Sequence, residues 1–147
     1  MTLDMVIRGG QILTPTGLRD GTVAVQDGRI VAILPPESEP DARETLDAFG
    51  AHVLPGAIDI HCHIRSPAYP NRGSVQSETG AAAKGGITTL FEMPITDPCC
   101  NSPERVALRR DHFATRSLTD FGMFAAPVEP TEPAFFALRD PGAIAPK

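Results

Sequence analysis

Short runs of aliphatic and β-branched residues, cut at close intervals by glycine or proline, fill the first third of the chain. Residues 5–8 and 11–13 flank Gly9-Gly10, and Pro15-Thr16-Gly17 then breaks the run. Residues 21–26 and 29–34 enclose Asp27-Gly28. That dipeptide between two apolar runs predicts a hairpin, because both turn positions need positive φ. A proline- and acid-rich linker over residues 35–41 closes the unit. About 45 residues of small strands bury little by themselves, so this segment is expected to pack on something else.

From Pro55 onward the pattern changes to alternating strand and helix. Residues 57–64 read as an apolar strand. Residues 78–84, with Ala81-Ala82-Ala83, read as a helix stopped by Gly85-Gly86. Residues 87–93 form a second buried type of strand, ended by Pro94. Ser102-Pro103-Glu104 supplies an N-cap, a first-turn proline and an early acid, and opens a helix with Val106, Arg109 or Arg110, and Phe113 at helical spacing. A strand over 118–126, a helix over 131–138 and a strand starting at Gly142 complete the series. Alternation of this kind implies right-handed βαβ crossovers and a parallel sheet. The expected division is therefore a strand-rich segment over 1–54 and an α/β segment over 55–147. In parallel sheets of this class the chemistry sits at the carboxyl ends of the strands. His61 and His63 end the first of these strands, and Lys147 ends the fourth.

His61-Cys62-His63 is the feature with the most chemistry in it. Residues i and i+2 of a strand share a face, so both imidazoles project together while Cys62 and Ile64 point the other way. Imidazole is the commonest ligand of zinc-like ions. Paired histidines on a strand can equally be a plain polar face. Composition narrows the partners: a net charge of −5 and scattered basic residues argue against nucleic acid or an anionic membrane. No apolar run approaches the ~20 residues needed to span a bilayer. The N-terminus lacks a basic segment followed by an apolar one, so no secretory signal is expected. Three cysteines, Cys62, Cys99 and Cys100, make no disulfide framework and suggest a reducing cytoplasm. Cys99-Cys100 could be a metal or redox pair, against free buried thiols. His52 and His112 are expected to be solvated or to serve packing.

Pro55-Gly56-Ala57-Ile58-Asp59-Ile60-His61-Cys62-His63-Ile64-Arg65 resembles the first-strand signature of the amidohydrolase superfamily. Glu78-Thr79-Gly80-Ala81-Ala82-Ala83-Lys84-Gly85-Gly86-Ile87-Thr88-Thr89, running on to Met93-Pro94, is similar to the next helix and strand of its cyclic-amide branch, which holds the dihydroorotases, allantoinases and hydantoinases. The resemblance implies a TIM-type (β/α)8 barrel with a small β-sandwich. It implies a binuclear divalent metal site, zinc above all, with His61 and His63 as one ligand pair and Lys147, carboxylated, as the bridge. Pro146 departs from the aromatic residue usual before that lysine, and a solvated lysine is the competing reading. Arg65 falls where the dihydroorotase-like enzymes hold a substrate carboxylate, against an ordinary surface ion pair. Ser66-Pro67-Ala68 and Ile95 depart from the dihydroorotase pattern, which leaves allantoin, hydantoin or another cyclic ureide open. Asp59 reads as support for the first strand. The implied partner is a small cyclic amide, in a homo-oligomer of a kind common in that branch.

An eight-stranded barrel typically needs ~250 residues, and this chain has 147. The expectation is an incomplete barrel: an N-terminal piece with three βα units and the start of a fourth strand, without the proton-transferring aspartate and inactive alone. Two other readings stand beside the hydrolase. One is a non-catalytic scaffold on the same fold, and the other a small standalone α/β domain whose histidines bind nothing.

Overall fold

Gly9-Gly10 does not end a strand. The computed structural model, which describes residues 2–129 and 131–147, carries the chain straight through it in β1, Leu3–Thr14. The antiparallel register with β2, Gly17–Gln26, slips between Ile7 and Gly10, and Gly9 takes φ 69°. The glycines thus make a β-bulge rather than a break. The hairpin at Asp27-Gly28 forms as expected, with φ 52° and 69°, and joins β2 to β3, Arg29–Leu34.

Two further strands were not foreseen. Beyond the 35–41 linker, β4, Ala42–Asp47, and β5, His52–Val53, both pair with β1 in parallel. The sheet order is β3-β2-β1-β4, with β5 alongside β1. Val6, Ile12, Val23 and Ala24 are its buried hydrophobic residues, with Thr22 buried among them. These strands belong to one compact unit, Met1–Pro55.

The second unit, Gly56–Lys147, is the alternating segment. Its strands are β6, Ala57–Cys62; β7, Ile87–Glu92; β8, Asp120–Ala125; and β9, Ala143–Pro146. They pair in parallel in the order β6-β7-β8-β9. Three helices connect them: α1, Val75–Lys84; α2, Pro103–Ala114; and α3, Glu132–Arg139. Val75 and Phe113 from the helices pack with Leu90 and Ile64, and Val106 and Leu138 pack with Met123, Ala125 and Ala143. The core therefore lies between the sheet and its helices. Among the described residues no helix is long and apolar enough to cross a membrane.

Several boundaries move from their expected places. Helix α1 begins at Val75, not residue 78. Ser74 accepts from the Ser77 N–H at 3.0 Å, while the Ser74 N–H donates to Ser77 Oγ at 2.8 Å. Strand β8 starts at Asp120, leaving Leu118 60% exposed before it. Strand β6 stops at Cys62, so His63 and Ile64 begin the loop. Between Asp59 and Cys62 the register against β7 slips, with Asp59 opposite Leu90 and Cys62 opposite Glu92. Among the described residues the parallel sheet has four strands, joined by the helices on one side.

Candidate metal centre at the carboxyl ends of the strands

A parallel sheet brings the carboxyl ends of all its strands to one rim. His61 is the last residue but one of β6, His63 is the first residue after it, and Lys147 follows β9. The two imidazole centroids lie 5.4 Å apart at 50°, a spacing from which both rings can reach one cation. Lys147 Nζ lies 3.4 Å from His61 Nε2. Main-chain bonds hold two of the three: the His61 N–H donates to Asp59 Oδ1 at 2.9 Å, and the Lys147 N–H donates to the Ala125 carbonyl at 2.8 Å. Asp59 thus supports the strand end.

Cys62 and Ile64 turn the other way, into the core with Val75, Leu90 and Phe113. Burial, with Glu92 next in effect, pushes the Cys62 thiol up to about 11. His63 moves in the opposite direction. Burial first, then the charges of Arg65, Lys147 and His61, hold it below the ordinary histidine value, which keeps the ring neutral as a metal ligand must be. His63 Nδ1 is buried without a hydrogen-bond partner. The donor set, two imidazoles with centroids 5.4 Å apart and an amine 3.4 Å from one of them, fits a divalent cation by its chemistry. Among the described residues no group of three or more His, Cys, Asp or Glu side chains converges, so a cation here would draw on the two histidines and the lysine.

Arg65 is half-buried in the loop after His63, its guanidinium 5.9 Å from the Tyr69 ring centroid, with Arg72 6.0 Å from the same ring. Among the described residues it makes no ion pair. Cys99 and Cys100 are free thiols, Cys100 buried. His52 is exposed at the start of β5. His112 is not a plain solvated ring: its Nε2 lies 3.1 Å from Ser66 Oγ.

Sequence reading missed one pair of residues beside the rim. Glu92, 1% exposed, and Arg109, 6% exposed, form an ion pair inside the core. Arg109 also donates to the carbonyls of Ile64 and Ser66, and the Ile64 N–H donates to Glu92 Oε2 at 2.7 Å. The signal was present. An acid among Leu90, Phe91 and Met93, and an arginine in step with Val106 and Phe113, each place a charge in an apolar stripe.

Comparison with known proteins places the chain in a family. Residues 50–144 match the dihydro-orotase-like family. The chain is 31% identical over 142 residues to an L-hydantoinase of Paenarthrobacter aurescens, covering 96% of this chain and 31% of that protein. It is 33% identical over 142 residues to an allantoinase of Streptomyces avermitilis, covering 95% and 32%. The solved L-hydantoinase (dihydropyrimidinase) from Arthrobacter aurescens superposes with a TM-score of 0.89 at 30% identity, over 99% of this chain and 32% of that one. The chain thus spans about a third of the length of these relatives. On the match over residues 50–144 and these likenesses, the chain belongs to the dihydro-orotase-like family, in the cyclic-amide branch of the amidohydrolases.

Proposed function

We propose that this chain contributes to a metal-dependent hydrolase of cyclic amides or ureides, and that His61, His63 and Lys147 are its share of the ligands for a divalent metal pair, with zinc as the metal. The observation that carries the reading is the convergence of two imidazoles and a lysine amine from the two outer strands of the sheet. As an ammonium, Lys147 would repel a cation beside it. Uptake of CO2 by the neutral amine forms an N–C bond, releases a proton and leaves an anionic carbamate with two oxygen donors. Two divalent ions, when bound, polarise an amide carbonyl and lower the pKa of water.

Arg65 would hold a polar edge of the substrate with its planar fork. The relatives named as hydantoinase and allantoinase support a hydantoin- or allantoin-like ring. Ser66-Pro67-Ala68 and Ile95 weigh against dihydroorotic acid. The division into a strand-rich segment over 1–54 and a hydrolase barrel segment over 55–147, a homo-oligomeric state and a cytoplasmic home belong to the same proposal. Three free cysteines support the last.

Metal content after loading with zinc and bicarbonate, followed by dialysis, tests the ligand set. The wild-type chain should retain zinc. The His61→Ala/His63→Ala variant should lose it, and Lys147→Ala should bind it at least tenfold more weakly. A zinc-free wild type, or equal retention by the double variant, would refute the reading. Ring opening of allantoin and hydantoin by the 147-residue chain alone should be absent or slight, because no residue in it matches the proton-transferring aspartate of the branch.

A further inference from the structure

The segment that leaves the rim after His63 is held from behind, by α2. Arg109 and His112, three residues apart, share one face of that helix. Arg109 donates to the carbonyls of Ile64 and Ser66 and to Glu92 Oε1, and Glu92 Oε2 accepts the Ile64 N–H at 2.7 Å. His112 Nε2 sits 3.1 Å from Ser66 Oγ. Both polar groups of the Ile64 backbone and the carbonyl of Ser66 are therefore committed to two charged side chains on the helix side of the sheet. His63 and Arg65 alternate with these two residues along the chain.

A buried ion pair contributes little net stability compared with apolar residues of the same volume. What this one supplies is direction. A guanidinium forks to several acceptors at once, which an ammonium on a flexible stem cannot do. With Ile64 and Ser66 fixed, the angles at which His63 and Arg65 leave the main chain are fixed as well. We infer that Arg109 and Glu92 are positioning residues, setting His63 and Arg65 from the far side of the sheet. The inference rests on the reading of His63 as a cation ligand.

Arg109→Lys is the discriminating variant, since it keeps the positive charge against Glu92 and loses the fork. Arg110→Lys, on the exposed face of the same helix, is the control. Two quantities are measured beside thermal melting: Co(II) affinity by visible absorption, and the ring resonances of His63 by NMR without metal. Arg109→Lys should stay folded, bind Co(II) about tenfold more weakly with an altered absorption band, and show shifted His63 signals. Arg110→Lys should change none of these. A folded Arg109→Lys with wild-type affinity and unmoved His63 signals would overturn the inference. If the wild type takes up no Co(II), the metal reading fails by itself, and the His63 signals still decide the positioning role. Should Arg109→Lys not fold, Glu92→Asp faces the same two measurements. The Ile64 amide of the wild type must also be protected from hydrogen exchange, and exchange at the rate of an open loop would equally overturn the role.

Discussion

Glu92 carries a carboxyl into an apolar layer, and its protonation should show in folding. Burial pushes it up to about 7 from the ordinary 4.5, although the Ile64 N–H and Arg109 both pull it back. The unfolded chain gives up that proton at lower pH than the folded one. The contribution of Glu92 to stability is therefore fully present below about 4.5 and is lost as pH rises through 7. Urea unfolding of the wild type and of Glu92→Gln at pH 5 and pH 8 checks the sign. Relative to the variant, the wild type should be more stable at pH 5 than at pH 8, by on the order of 2 kcal/mol. An equal difference at the two pH values would show that the carboxyl is already ionised throughout. His63 and His112 are both held below the usual histidine value, with burial the first cause in each. They act in the opposite direction over the same range, so the comparison with the variant is the informative quantity.

Helix starts illustrate what local chemistry contributes to the elements. At α1 Ser74 and Ser77 satisfy each other's backbone N–H at 3.0 and 2.8 Å, whereas at α2 the single bond from the Arg105 N–H to Ser102 Oγ is 3.4 Å long. Ser74→Ala should cost about 1 kcal/mol, and Ser102→Ala clearly less, as measured by chemical denaturation. A larger loss at Ser102 would mean that cap geometry is not what holds these ends. The same pair explains which starts were legible. Ser102-Pro103-Glu104 carries the usual signature and was read correctly. The reciprocal cap at Ser74 has a serine three residues on, where glutamate or glutamine is the familiar partner, and it was missed. Strand β4, Ala42-Arg43-Glu44-Thr45-Leu46-Asp47, was missed because a charged outer strand has no apolar alternation to read. Gly9-Gly10 misled in the other direction, since a bulge and a turn use the same residues. The histidines were legible because an extended chain puts i and i+2 on one side, although His63 itself lies one residue past the end of β6. The Glu92–Arg109 clamp depends on which helix face meets which strand, and that is decided by packing.

Across the whole molecule, the parallel sheet ends in β6 on one side, where Ile58 and Ile60 are 61% and 64% exposed. An end strand with exposed aliphatic side chains and unpaired backbone groups invites self-association. Ile60→Lys should lower light scattering of concentrated solutions without changing the far-UV circular dichroism. Scattering that does not move would assign the self-association to another surface. The other end of the same sheet holds a different lesson. Strands β6 and β9 are three spacings apart, about 14 Å if the sheet were flat. Yet the side chains at their tips approach to 3.4 Å. The lysine stem and the imidazole, leaning toward each other over the tips of β7 and β8, cover most of that distance themselves. A shorter side chain at position 147 would leave that gap open, with the order of the four strands unchanged.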